Sequence, residues 1–282
     1  MNFITQSGVP AGPVGQGTWY LGNHPETFQQ ELSSLRAGLE RGMTLLDTAE
    51  MYGEGAAERL LGQAIQGYDR EKLYLVSKVY PHNAGRKNIF HSCQASLKRL
   101  NTDYLDLYLL HWRGSVPLAE TVECMEKLKE DGLIRRWGVS NLDLADMDEL
   151  AAVPQGKNCL TDQVLYHLGS RGIEFDLLPA LQKRGVSVMA YCPLAQGGSL
   201  RRGLLESPAV TQIAQAHGIT PSQVLLAFLL TRPGVIPIPR SARAEHTVDN
   251  AGAADVRLTQ EDLARLDAAF PAPGRKVPLD MQ

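Results

Sequence analysis

Short apolar runs that stop on a polar residue alternate with stretches in which apolar residues recur every three or four positions, and this pattern occupies most of the chain. The runs read as buried strands and the periodic stretches as amphipathic helices lying against them. Residues 13–19 form the first strand candidate. Its helix covers 25–42, with Phe28, Leu32, Leu35 and Leu39 on one face and Gly42 as the stop. Strands at 44–47, 73–78, 105–111, 134–141 and 160–163 precede helices at 56–65, 89–100, 118–129, 144–152 and 175–184. A strand at 186–191 then leads to two helices, 209–217 and 222–231, and 235–240 is the eighth strand. A last helix over 259–270 has Thr259 as N-cap with Glu261 and Asp262 in its first turn, and the tail from Pro271 reads as an irregular strap. At the other end, a Ser7-Gly8 turn marks a short N-terminal hairpin.

Eight apolar strands alternating with helices predict an α/β fold closed as a (β/α)8 TIM barrel, because every parallel crossover requires a helix. The 282 residues suit one such barrel, which runs to about 250 residues as a single unit. No Pro-, Gly- or Ser-rich linker divides the chain, so 1–282 is read as one domain. An open doubly wound sheet is the competitor, and it differs in a reversal of strand order that the pattern does not contain.

Charge adds exclusions. The net charge is −3, with acidic and basic residues interspersed, so no surface is built to hold nucleic acid or a membrane by charge alone. No apolar run reaches the roughly 18 residues of a membrane span, and the start lacks the basic-then-apolar order of a signal peptide. The four cysteines lie far apart without metal-ligand spacing, so no metal site is expected and a reducing cytoplasm fits.

In a barrel of this type the active site lies at the C-terminal mouth, so the residue ending each strand carries the information. Those residues are Thr18 or Trp19, Asp47, Lys78, His111, Ser140 with Asn141, Gln163, Tyr191 and Arg240. Tyr52 follows Asp47 in a glycine-rich turn. Taken singly, each has an ordinary structural explanation: an aspartate after a strand caps a helix, a lysine sits in a solvated loop, a tyrosine packs a barrel wall. Taken together, Asp47, Tyr52, Lys78 and His111 form a proton-donating site for a carbonyl. Tyr52 is the acid, an ammonium on Lys78 favours its phenolate, Asp47 holds Lys78 ionised, and His111 orients the carbonyl oxygen. Trp19, Tyr80, His82 and Trp112 follow strand ends and are read as an aromatic wall contacting a small substrate, the alternative being simple barrel packing.

With these segments in order, the chain resembles the aldo-keto reductases. The resemblance rests on Gly15-Gln-Gly-Thr18-Trp19, Asp47-Thr-Ala-Glu-Met-Tyr52-Gly53, Leu75-Val-Ser-Lys78-Val79, Leu105-Asp-Leu-Tyr-Leu-Leu-His111-Trp112, Gly138-Val-Ser-Asn141, Gln163, Tyr191-Cys-Pro-Leu194 and Ile236-Pro-Ile-Pro-Arg240-Ser241. Within that family, Gly15-Gln-Gly-Thr-Trp-Tyr and Leu109-Leu-His-Trp look most like a bacterial branch that includes methylglyoxal reductases.

The resemblance implies NADPH-dependent reduction of small aldehydes and ketones, 2-oxoaldehydes included, with Tyr52 as general acid and the cofactor delivering hydride. It further implies that Ser140, Asn141 and Gln163 bind the nicotinamide carboxamide, Tyr191 stacks on its ring, and Thr18, Trp19 and Asp47 border it. Pro193, Leu194, Ala195 and Gln196 follow the pyrophosphate, Pro239, Arg240 and Ser241 meet the 2′-phosphate, and His246 and Asn250 complete the adenine end. Arg240 stands where lysine is usual and still suits a phosphate. His246 stands where arginine is common, which makes one phosphate contact weak or pH-dependent. The small-molecule carbonyl is the expected partner, and a monomer the expected state. Two alternatives remain open here: a lyase using Lys78 as Schiff-base nucleophile, and a non-catalytic NADPH-sensing regulatory subunit.

Overall fold

The computed structural model describes residues 12–282, so the hairpin expected around Ser7-Gly8 lies outside the described residues. Eight parallel strands follow one another in sequence order: β1 Gln16–Gly17, β2 Leu45–Asp47, β3 Tyr74–Val79, β4 Leu105–Leu110, β5 Ile134–Ser140, β6 Thr161–Leu165, β7 Ser187–Tyr191 and β8 Val235–Pro237. The last segment returns to the first. Gly15 N–H donates to Pro237 O at 2.9 Å, Gly17 N–H donates to Pro239 O at 3.0 Å, and Gly17 pairs in parallel with Arg240. An unbroken order with this closure is a barrel and not a doubly wound sheet.

Helices cover the outside: α1 Phe28–Glu40, α2 Ala56–Ala64, α3 Ile89–Leu100, α4 Leu118–Glu130, α5 Leu144–Ala152, α6 Leu177–Arg184, α7 Gly198–Leu205, α8 Pro208–His217, α9 Pro221–Leu230, α10 Ala244–Gly252 and α11 Gln260–Ala269. Their apolar faces and the outward residues of the strands make the larger core, which includes Leu46, Leu75, Tyr108 and Trp137. The expected N-cap of the last helix is present: Thr259 accepts from Asp262 N–H, and Asp262 accepts from Thr259 N–H in return. Two helices were not foreseen, α7 and α10. The first opens on Gly197-Gly198, a pair that favours turns over helix, and the second, AEHTVDNAG, has too few apolar positions for a visible stripe.

A second, smaller core fills the barrel interior with Leu45, Tyr74, Val76, Leu107, Leu109, Met189, Ile236 and Ile238. Side chains of a strand alternate between faces, so stepping two residues onward from these carries the inward face to the mouth. The steps arrive at Asp47, Lys78, His111, Tyr191 and Arg240. The polar residues are therefore the top layer of the same inward ladder whose lower rungs are apolar.

Candidate active site

Lys78, on β3, is fully buried, and its ammonium spends all three donors. Nζ donates to Asp47 Oδ2 at 2.8 Å, to Thr48 O at 2.9 Å and to Tyr52 Oη at 3.0 Å. Asp47 is held on its other oxygen by Gln163, whose Nε2 donates to Oδ1 at 2.7 Å across the barrel. Because Tyr52 Oη accepts from Lys78, its own O–H is directed away from the lysine, and the open side is the mouth. His111 faces the same space, its ring 5.7 Å from that of Tyr52 and edge-on to it. His111 Nδ1 is buried without a hydrogen-bond partner among the described residues, which is unusual for a buried polar atom and marks a site built to receive one.

Burial dominates the electrostatics. It pulls Asp47 up and Lys78 down, each towards its neutral form, and each is opposed by the charge of the other across the 2.8 Å contact. Burial, reinforced by Asp47 and then Cys192, holds the Tyr52 phenol well above its usual value. Removal from water outweighs the neighbouring ammonium in the resting site, so the phenol keeps its proton. Burial, with the Lys78 charge adding to it, drives His111 down to about 2, so its imidazole is neutral at every working pH.

Beside this group the β5–α5 connection is tied down. Ser140 Oγ donates to Gln163 O at 2.8 Å, Asn141 Nδ2 donates to Ser140 Oγ at 3.1 Å and His111 O at 3.3 Å, and Tyr191 O–H donates to Asn141 Oδ1 at 2.9 Å. Asn141 has φ +58°, and Cys192 and Ala195 in the β7–α7 connection have φ +49° and +58°. Left-handed backbone in non-glycine residues costs free energy and clusters where a ligand is held.

Two adjoining cavities open at this end, and they share Trp19, Tyr52 and Tyr191. The elongated one runs from Asp47 along residues 192–196 to Pro239 and Arg240. The smaller is bounded by Met51, His111, Trp112, Ser140, Asn141 and Gln163. Thr18 is buried next to them, and its hydroxyl donates to Asp47 O at 2.9 Å.

Not every expected contact reaches these cavities. The Tyr80 and His82 rings lie 4.8 Å apart, tilted to one another, and Tyr80 meets Trp112 edge-on at 5.9 Å, so they buttress the wall from behind. Glu50 fixes Tyr80 there by accepting its N–H at 2.7 Å. Ser241 Oγ is engaged in its own turn, donating to Arg243 O at 2.8 Å, while Asn250 is buried and His246 exposed on α10. None of the three borders the elongated cavity, which ends at Arg240.

Residues not foreseen also line the site. Tyr20 stacks on Trp19 at 4.6 Å, and Cys192 and Arg201 border the elongated cavity. Gln282 borders the smaller one. The tail, read as an irregular strap, reaches the mouth. Lys276 pairs with Asp176 at 3.4 Å, Val277 packs over Gly172, Asp280 accepts from Ser170, and the chain then runs on to the site. Its sequence has no periodicity from which that path could be read.

The arrangement fits a dinucleotide without a glycine fingerprint. The elongated cavity has a half-buried aromatic ring at its inner end, bare backbone along its middle and an exposed guanidinium at its outer end. The carboxylate bordering it, Asp47, is neutralised by Lys78.

The comparisons with known proteins agree. A model of the aldo/keto reductase family matches residues 13–270. The methylglyoxal reductase YeaE of Escherichia coli K12 is 57% identical over 281 residues, covering 100% of this chain and 98% of that protein. The glyoxal reductase of Bacillus subtilis is 34% identical over 93% of this chain and 90% of its own length. A crystal structure of an aldo/keto reductase from Klebsiella pneumoniae, in complex with NADP and acetate, superposes with a TM-score of 0.94 at 55% identity, covering 97% of this chain and 96% of that one.

Proposed function

We propose, from the premise that this chain belongs to the aldo/keto reductase family, that it reduces small 2-oxoaldehydes such as methylglyoxal to the corresponding alcohols with NADPH. The observation that carries the reading is the single buried chain Gln163–Asp47–Lys78–Tyr52, which ends in a phenol proton facing a small cavity.

When bound, NADPH would supply hydride to the carbonyl carbon. The protein's own work is to bind, orient and protonate. In this reading a carbonyl oxygen sits between Tyr52 Oη and the neutral His111 ring, accepting a hydrogen bond from each. As negative charge develops on that oxygen, the Tyr52 proton moves to it, and Lys78 stabilises the phenolate left behind. Gln163 and Asp47 keep Lys78 in place. Ser140, Asn141 and Gln163 would hold the carboxamide, Tyr191 would support the nicotinamide ring, residues 193–196 would follow the pyrophosphate, and Arg240 would meet the 2′-phosphate. Arg240→Ala is then expected to weaken NADPH binding by about tenfold to a hundredfold, the worth of a charge-assisted contact, and to leave NADH within about threefold. Paired fluorescence titrations check this.

The smaller cavity is bounded by Trp19, Trp112, Met51 and neutral polar side chains, with no cationic side chain lining it among the described residues. It therefore suits a short uncharged carbonyl compound. Turnover across a carbonyl panel tests the substrate class: methylglyoxal is expected to exceed a bulky steroid ketone by about a hundredfold or more in kcat/KM, the scale of pocket discrimination. The reverse order would refute it. The lyase alternative is disfavoured by the engagement of all three Lys78 donors, which leaves no free amine to attack a carbonyl. One chain carries the entire set, so we read the enzyme as a one-domain monomer acting in the cytoplasm.

A further inference from the structure

Asp162 lies on β6 between the Asp47-binding Gln163 and the barrel wall, and nothing in the mechanism uses it. Gln163 points into the barrel, so Asp162 points the other way, into the layer between sheet and helices. It is fully buried, and neither carboxylate oxygen has a hydrogen-bond partner of normal geometry among the described residues. The donor that faces it is the backbone N–H of Leu142, in the β5–α5 connection.

The charged neighbours make ionisation worse. Asp143, the N-cap of α5, and Asp146, in its first turn, both face Asp162 with the same sign. The amides at the start of α5 offer no relief, because Asp143 Oδ1 already accepts from Ala145 and Asp146 at 2.8 and 3.0 Å. Lys276 is 3.8 Å from Asp143 and pairs with Asp176 at 3.4 Å, and it makes no ion pair with Asp162 among the described residues. Cys159 and Tyr191 also sense Asp162, and neither is a cation. A buried carboxylate with no counter-charge is among the costliest states in a protein. Burial accordingly holds Asp162 well above the usual carboxylate range, in its neutral form.

What rests on Asp162 is the segment Ser140-Asn141-Leu142-Asp143. That segment is fastened to the residue next to Asp162: Ser140 Oγ and Asn141 N–H both donate to Gln163 O, at 2.8 and 3.0 Å. We propose that Asp162 is a positioning residue that must stay neutral for the β5–α5 connection to seat, so that its ionisation lifts Asn141 out of the cofactor groove and sets an alkaline limit on NADPH binding. The inference rests on the reductase reading above. Its physical basis is that a carboxylate formed here must repel Asp143 and Asp146 or reach water, and both movements displace Leu142.

The test is the NADPH dissociation constant, followed by fluorescence from about pH 6 to about pH 10, in wild type and in Asp162→Asn. The amide has the shape of the neutral acid and cannot ionise. The wild-type constant is expected to rise in the alkaline range by up to about tenfold per pH unit, and that of Asp162→Asn to stay within about threefold of its neutral value. Groups in the groove itself, such as Cys192, titrate alike in both proteins and cancel. A second readout is thermal unfolding. An acid whose folded-state pKa is raised contributes stability below its unfolded pKa that is lost as pH rises towards the folded one. Asp162→Asn should therefore unfold at a higher temperature than wild type at about pH 8, and the two should converge at about pH 4. Parallel pH profiles, a flat wild-type profile, or failure of Asp162→Asn to fold would each overturn the inference. Absence of NADPH binding by wild type at any pH would instead overturn the reductase reading.

Discussion

Lys78→Met is expected to destabilise the protein by about 3–5 kcal/mol and to abolish measurable turnover. The residue is fully buried, and its ammonium is the counter-charge of Asp47. Without it Asp47 keeps the single donor of Gln163, and a carboxylate in that position has to take up a proton to remain folded. The sign of the pH dependence follows. With its folded-state pKa raised further, Asp47 supports the variant only at acid pH, and that support is lost as pH rises through the neutral range. Chemical denaturation at about pH 5 and about pH 8 should show the larger deficit at the higher pH. The double variant Asp47→Leu/Lys78→Met should regain most of the lost stability, since a buried ion pair exchanged for apolar groups of similar size is often neutral, and should stay inactive. If the double variant were as unstable as the single one, the unpaired carboxylate would not be the cause.

Tyr52→Phe is expected to lower kcat by about a hundredfold to ten-thousandfold, the range typical of a positioned general acid. NADPH affinity should be unchanged, because the ring stays and one oxygen is removed. The loss should appear in kcat and kcat/KM together, as it does when an interaction made chiefly in the transition state is removed. The stability cost should be small. Lys78 Nζ loses one of three acceptors, but Asp47 and Thr48 remain at 2.8 and 2.9 Å.

The legibility of this chain depends on the alternation that builds it. A two-residue step carries the interior apolar ladder into Asp47, Lys78, His111, Tyr191 and Arg240, so a polar residue closing an apolar run identifies both the strand and its place at the mouth. For the same reason the Asp47–Lys78–Tyr52 contact could be anticipated from residue type and position. The electrostatic balance could not. Whether Lys78 or loss of water governs the Tyr52 phenol depends on the depth of the site, which only packing fixes. Tyr80 and His82 stand directly after a strand, as wall residues do, yet the turn at 81–83 directs them behind Trp112. Helices α7 and α10 were hidden by glycine and by polar composition, and the path of the tail by its lack of any repeat. Asp162 escaped notice because it sits inside a buried strand, where the sequence does not reveal that its outward neighbours are two further acids.

The central claim, that the Tyr52 proton completes carbonyl reduction in this site, is tested most directly by a single turnover. Wild type and Tyr52→Phe, each saturated with NADPH, are mixed with methylglyoxal, and the loss of NADPH absorbance is followed. The account predicts rapid loss in wild type and a rate slower by about a hundredfold or more in the variant, with equal cofactor occupancy at the start. Equal rates in the two proteins would contradict it.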